Sequence, residues 1–202
     1  MRILIACEFS GVVREAFRRR GHDVWSCDFL PTEVPGPHIQ GDVLEAIISQ
    51  GPWDMMVAHP PCTYLSSSGL HWNARRPERQ AQTEAALKFV SDLLNAPVPR
   101  IALENPVGCI SSRIRKPDQI VQPWFFDDEE SKTTCLWLKG LPPLMSTMIV
   151  PRRRYLNQCP SGQNKLGPSP DRWKIRSRTY PGLARAMAEQ WLEEVSTHAA
   201  LL

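Results

Sequence analysis

Residues 2–7 are apolar and stop at Glu8-Phe9-Ser10-Gly11, and a helix and a second strand follow before residue 29. Ser10 is placed to cap that helix, and Val12, Val13, Ala16 and Phe17 fall on one stripe of it. Arg18, Arg19 and Arg20 suit its C-terminal end, and Gly21 suits its stop. Asp23-Val24-Trp25-Ser26-Cys27 then reads as a strand closing on Asp28. Strand, helix, strand at this spacing begins a βαβ unit, which requires a parallel sheet. The expected fold class is therefore α/β, a mostly parallel sheet flanked by helices.

The alternation continues. A loop with Pro31, Pro35 and Pro37 leads to Gly41-Asp42 and a helix over about 43–50. An apolar strand over 53–58 ends at His59-Pro60-Pro61-Cys62. The polar stretch Ser66-Ser67-Ser68-Gly69 precedes a long helix over about 78–95, with Pro77 in its first turn. Ala86, Phe89, Val90, Leu93 and Leu94 form its expected buried face. Ile101-Ala102-Leu103 is a strand ending at Glu104-Asn105-Pro106. Alternation fades over 107–131 and returns as a strand over 133–138. The last helix runs from Thr179, its expected cap, to about Val195, with Leu183, Met187 and Trp191 recurring every fourth residue. One domain over 1–202 is expected, with a small irregular basic segment at about 107–178.

Composition excludes several classes. No apolar run nears the roughly 20 residues of a membrane span, so no membrane partner is expected. The opening segment turns acidic too soon for a signal peptide and reads as a strand. The six cysteines are scattered, without a CxxC pair, so neither a zinc site nor a disulfide framework is expected, and a reducing cytoplasm is. Between Arg152 and Arg178 eight basic residues face Asp171 alone, a local net charge of +7. Such a block suits phosphate, or simply a solvated loop.

Three strands thus end in polar groups: Glu8-Phe9-Ser10-Gly11, His59-Pro60-Pro61-Cys62 and Glu104-Asn105-Pro106. In an open parallel sheet, ligands sit beyond the carboxyl ends of the strands, so the three groups should converge on one cleft. Two prolines stiffen the approach to Cys62 and present its thiol at a strand end. A nucleophilic thiol also needs help reaching its thiolate form, from His59 or a helix N-terminus. Glu104 can cap its turn, or stand in the cleft with a raised pKa and donate a proton. A thiol with a carboxyl group is equipment for activating a pyrimidine ring.

Pro60-Pro61-Cys62, followed 42 positions later by Glu104-Asn105, resembles the cysteine and Glu-Asn-Val motifs of the cytosine-C5 DNA methyltransferase family. The resemblance implies a Rossmann-like S-adenosylmethionine-dependent methyltransferase fold and an enzyme that methylates C5 of cytosine through a Cys62 adduct at C6. Phe9-Ser10-Gly11 resembles part of the family's Phe-x-Gly-x-Gly cofactor motif. By that likeness Phe9 would pack on the adenine of S-adenosylmethionine, Ser10 and Gly11 would admit its methionine part, Asp28 would bind the ribose and Asp42 the adenine edge, with Pro60 beside them. Arg152-Arg153-Arg154-Tyr155 is similar to the family's Gln-x-Arg-x-Arg segment, which would give Arg153 a catalytic contact to the base, and Arg152 one to the substrate. Asn105, Ser66, Trp173 and Lys174 complete the expected substrate contacts. The helix opened by Pro181-Gly182 resembles the family's closing motif, which packs beside the cofactor. The motifs cover about residues 1–106, with weaker echoes at 152–155 and 179–192.

Gly11 is the only glycine in its turn, His59 stands where the family has glycine, and Pro106 where it has valine. Only residues 156–178 lie where family members that read sequence carry a recognition domain. Three substrates stay open: DNA, favoured by the basic segment and reached by base flipping; a free cytosine nucleotide; or RNA and single strands. Specificity could come from a partner or from a second copy of the chain. The segment 63–77 resembles a lid behind the nucleophile, or an ordinary surface loop. An amino-methyltransferase would want Asp, Asn or Ser before the prolines and an aromatic after them, where this chain has His59 and Cys62. A non-catalytic nucleic-acid-binding protein of the same fold would need neither Cys62 nor Glu104. The compact form is that of a phage or mobile-element enzyme, by family analogy.

Overall fold

The structure is a computed structural model that describes residues 1–148, 155–161 and 164–199. The alternation becomes β1 (Arg2–Ala6), α1 (Val12–Arg18), β2 (Asp23–Asp28), β3 (His38–Gln40), α2 (Val43–Ser49) and β4 (Met55–Ala58). Then follow α3 (Ser67–Leu70), α4 (Pro77–Leu94), β5 (Arg100–Pro106), α5 (Ile110–Arg113), β6 (Gln119–Val121), a single 3-10 turn over Pro123–Phe126, β7 (Thr134–Lys139), α6 (Arg172–Ser177) and α7 (Pro181–Ala199). The seven strands form one sheet in the order β3-β2-β1-β4-β5-β7-β6. β3, β2, β1, β4 and β5 are mutually parallel. β7 runs antiparallel between β5 and β6. This is the Rossmann-like, mostly parallel sheet flanked by helices that the motifs imply, with one reversed strand.

Both faces of the sheet are covered, which is why its central strands read as unbroken apolar runs. Leu4, Ala6, Met56, Ala58, Ile101 and Leu103 face α2 and α4, packing on Ile47, Leu87, Val90 and Leu93. Ile3, Ile5, Met55, Val57 and Ala102 face the other way, against Val13 and Phe17 of α1 and Leu183, Met187 and Trp191 of α7. The buried stripe of α4 is Thr83, Leu87, Val90 and Leu93, with Ala86, Phe89 and Leu94 on its half-buried flanks. Among the described residues no helix is long and apolar enough to cross a membrane.

Three local expectations are corrected. The N-cap of α1 is Gly11, in the left-handed region at φ 74°, not Ser10. The Val12 amide reaches Ser10 Oγ at 3.3 Å, and the next two free amides of α1 go to Glu8, whose carboxylate accepts from Val13 N at 2.7 Å and Arg14 N at 3.1 Å. Likewise Asp128, not Thr179, takes the amides of Gly182 and Leu183 at the start of α7, at 3.0 and 3.2 Å. A carboxylate has two acceptor oxygens and satisfies two orphan amides at once. Finally, Glu104 does not end its strand: β5 continues to Pro106, because β7 pairs alongside through Glu104, Asn105 and Pro106.

The region 107–178 also contains β6 and β7. β6 is three residues long, and Ile120 within it is 53 % exposed, so it lacks the pattern that announces a strand. β3 is equally short, pairing His38, Ile39 and Gln40 with Ser26, Cys27 and Asp28 inside the proline loop.

Candidate active site

β4 and β5 are neighbours and run parallel up to the pair Ala58 and Leu103, so His59 and Glu104 leave that pair at the same level. Nδ1 of His59 lies 3.2 Å from Oε2 of Glu104. Asn105 Nδ2 donates to the carbonyl oxygen of Pro60 at 2.7 Å. The strand carrying the carboxylate thus holds the loop carrying the thiol. The loop is fixed again from its far side, where the Cys62 carbonyl accepts from Leu65 N and Ser66 N at 3.0 and 2.9 Å. Ser67 N donates to Val107 O and Cys109 N to Leu65 O, at 3.0 and 2.9 Å. Gly108 makes that approach feasible: a Cβ there would stand 1.9 Å from Leu65 O.

The electrostatics differ from the sequence expectation. Burial acts to raise the Glu104 carboxyl, but Lys132, His59 and the Thr134 hydroxyl outweigh it and hold the pKa down at about 2. Glu104 is therefore an anion in the free protein, not a ready proton donor. Lys132 Nζ is 4.0 Å from its Oε1. Cys62 is exposed as a residue, yet desolvation of the sulfur raises its thiol; Lys132 and Arg176 pull it down, and Glu104 pushes it up. His59, considered above as a helper for the thiolate, instead pairs with Glu104.

The residues proposed from the cofactor motif lie at or just after the ends of β1, β2 and β3. Phe9 is buried, and the Trp173 ring lies 6.1 Å from it, tilted by 56°. Trp173 therefore packs on the proposed donor side, while Arg176 of the same short helix bears on Cys62. Lys174 Nζ sits 5.7 Å from the Trp173 ring centre. Ser10 donates to Glu8 at 3.2 Å and accepts from Val12 N at 3.3 Å. Asp28 accepts from Leu30 N at 2.9 Å, and burial raises its carboxyl, with that amide and His38 opposing. Asp42 is exposed and caps α2, accepting from Leu44 N at 2.7 Å. Between the starts of α1 and α7 lies a cavity of about 500 Å³, lined by Val12, Lys165, Arg176, Arg178, Thr179, Tyr180 and Pro181, among others.

Ser66 N-caps α3 and bridges to Gly108, with its Oγ 3.1 Å from Ser68 Oγ. The segment 63–77 is tied down by α4: Arg79 donates to Thr63 O at 2.6 Å and Gly69 O at 3.3 Å, and Thr83 donates to Tyr64 O at 3.1 Å. Arg152 and Arg153 lie outside the described residues.

Sequence reasoning missed four side chains that shape this region. Lys132 carried no local signal. Glu8 read only as the end of a strand. Arg14 is fully buried, donating to Ser26, Thr32 and the Val34 carbonyl at 3.0, 3.1 and 2.6 Å, and so fixes the proline loop to α1. Phe29, next to Asp28 at the end of β2, is 72 % exposed. An aromatic ring left open beside a charged strand end was the signal available.

No protein-family model matches the chain, and no curated protein does. Among solved structures it is similar to a protein described as a DNA modification methyltransferase encoded within a prophage (E. coli), at 15 % identity and a TM-score of 0.46, over 75 % of this chain and 52 % of that one. It is also similar to the 16S rRNA methylase RmtB, at 17 % identity and a TM-score of 0.35, over 68 % of this chain and 54 % of that one. The chain spans about half the length of each.

Proposed function

We propose that this chain transfers a methyl group from S-adenosylmethionine to C5 of cytosine in DNA, through a covalent adduct between Cys62 and C6 of the base. The observation that carries the reading is the double tie between β4's exit and β5: His59 to Glu104, and Asn105 to Pro60. It brings a thiol and an ionised carboxylate to one end of two adjacent parallel strands, where such sheets bind ligands. Two polar atoms there are buried and have no hydrogen-bond partner among the described residues, His59 Nε2 and Asn105 Oδ1. Buried polar atoms are nearly always paired, so these two are suited to a ligand's donors and acceptors.

The cofactor fits the residues present. Gly11 holds the positive φ that lets the backbone turn close to a ligand, and Phe9, Phe29 and Asp28 offer apolar and acidic contacts for a nucleoside. When bound, S-adenosylmethionine supplies an electrophilic methyl group. The Cys62 thiolate bonds to C6, and the electron pair of the 5,6 double bond becomes available at C5. As the ring takes up the thiolate, N3 gains a proton from solvent, and Glu104, as an anion, accepts hydrogen bonds from that N3–H and from the 4-amino group. After the methyl group passes to C5, water takes the C5 proton, the electron pair of that C–H bond restores the 5,6 double bond and expels the thiolate, and N3 returns its proton to solvent.

The test is incubation with radiolabelled methyl donor and a panel of duplex DNA, single-stranded DNA, RNA and deoxycytidine nucleotides. Label at C5 of cytosine in DNA, lost in Cys62→Ala and Glu104→Gln, is the expected result. Transfer that survives Cys62→Ala, or label on an exocyclic nitrogen, overturns it.

A further inference from the structure

Lys132 lies just before β7, outside every motif through which the sequence resembles a known family, yet it stands at the carboxylate. Its Nζ is 4.0 Å from Oε1 of Glu104, while His59 faces Oε2. The same ammonium donates to the Arg176 carbonyl at 3.3 Å. An ammonium has three N–H donors. One serves Arg176 and one faces Glu104, which leaves a third, on a side chain that is 27 % exposed.

The backbone that carries the lysine is held by two side-chain amides. Gln122 Oε1 accepts from Lys132 N at 3.0 Å and from the Ser131 hydroxyl at 3.3 Å, and Gln122 Nε2 donates to Thr133 at 2.8 Å. Asn157 brackets Ser131 with both ends of its amide, at 3.1 and 2.8 Å, and its Nδ2 also reaches the Tyr180 hydroxyl at 3.3 Å. These bonds fix the backbone over 131–133 from which the Lys132 side chain reaches Glu104.

We propose that Lys132 is a positioning residue of the cleft, its ammonium the counter-cation shared by a carboxylate at 104 and a thiolate at 62. Two anions side by side repel and are costly to desolvate, so a site that uses both needs a cation between or beside them. The charged groups that bear on the thiol are Glu104 from β5, Lys132 from before β7 and Arg176 from α6, and of the two cations Lys132 has the larger effect. The inference deepens the reading of Cys62 and Glu104 as one reaction centre.

The experiment follows alkylation of Cys62 by iodoacetamide against pH, read on the Cys62 peptide by mass spectrometry, in the full chain and in Lys132→Met, Lys132→Gln and Lys132→Arg. Thiolate is the reacting form, so loss of the cation moves the profile to higher pH and slows alkylation at neutral pH by about tenfold, one decade for each pH step in the thiol's ionisation. Lys132→Arg keeps the charge and stays within about threefold of the wild type. Lys132→Gln replaces the methionine variant if that one fails to fold, as judged by circular dichroism. A folded, uncharged variant whose profile matches the wild type overturns the proposal. Alkylation does not depend on methyl transfer. A chain that shifts as expected but transfers no methyl group loses the proposed function and keeps the role of Lys132; the reverse outcome removes Lys132 alone.

Discussion

Asn105 Nδ2 and the carbonyl oxygen of Pro60 are 2.7 Å apart, and this bond joins the two halves of the candidate site. It crosses between the loop after β4 and the end of β5, where the ladder of strand pairing has already stopped at Ala58 and Leu103. Without it, the loop bearing Cys62 would depend on the His59–Glu104 pair before the cysteine and on contacts made after it, through Leu65 and Gly108.

Replacing Asn105 by Ala should therefore separate stability from activity. The lost buried hydrogen bond leaves the Pro60 carbonyl unsatisfied, at a cost of about 1–3 kcal/mol. Urea denaturation measures that directly. Methyl transfer should fall by about a hundredfold, the effect of displacing a reacting group by an ångström. Activity in step with wild type would show that the tie does not position the cysteine.

Gly108→Ala tests the same loop from its other side. The added Cβ would meet Leu65 O at 1.9 Å, a backbone atom that cannot swing aside as a flexible side chain can. The segments 62–66 and 107–109 must part, with a loss of about 1–3 kcal/mol for the overpacked contact. The Cys62 alkylation rate, compared with wild type, reports the displacement. An alanine variant as stable as the parent would show the approach to be looser than described.

The sheet was legible because its central strands are buried on both faces and so read as continuous apolar runs, and because each stops at a polar group. Cys62 and Glu104 could be paired because the apolar runs before them are neighbouring strands, although Glu104 itself lies within β5. What was not legible falls into two kinds. β3 and β6 are too short for a period to show, and pairing with a longer neighbour makes them strands. Glu8, Asp128 and Lys132 act on partners that the local pattern does not announce. Asp128 caps a helix 54 residues later, and Lys132 reaches Glu104 from beyond β6. The expectation of a raised Glu104 failed on that point, since burial was foreseeable but the cation and the imidazole around it were not.

Phe9 and Trp173 make the donor side testable. Their rings are 6.1 Å apart, so a flat adenine entering at Phe9 must displace Trp173 or lie against it. Phe9→Ala and Trp173→Ala should each weaken S-adenosylmethionine binding, measured by calorimetry, by about 1–3 kcal/mol, the scale for a base stacked on an aromatic ring. Unchanged affinity in both variants would move the donor away from this face.

Glu104 makes a stability prediction with a definite sign. Its carboxyl has a folded pKa of about 2, against 4.5 for the ordinary group. A depressed folded pKa stabilises above the unfolded value and is lost as pH falls through the folded one. Glu104→Gln should thus be less stable than wild type at pH 7, with the gap narrowing below about pH 4.5 and closing near pH 2. Denaturation midpoints of the two proteins across that window give the answer. A gap independent of pH would mean that the carboxylate's charge contributes nothing.

The same substitution should affect the thiol in the opposite direction to catalysis. Glu104 is the anion that raises the Cys62 thiol, alongside desolvation, while Lys132 and Arg176 lower it. Removing the carboxylate charge leaves both cations to the sulfur, so more thiolate forms at pH 7. Cys62 in Glu104→Gln should accordingly be alkylated a few-fold faster than in wild type, since reactivity follows the thiolate fraction, and yet transfer no methyl group to cytosine. A merely misplaced cysteine would lose both reactions or keep both. Faster alkylation combined with lost transfer is the outcome expected when the residue at 104 acts on the base and only incidentally opposes the nucleophile. Slower alkylation would place the thiol beyond the reach of Glu104's charge.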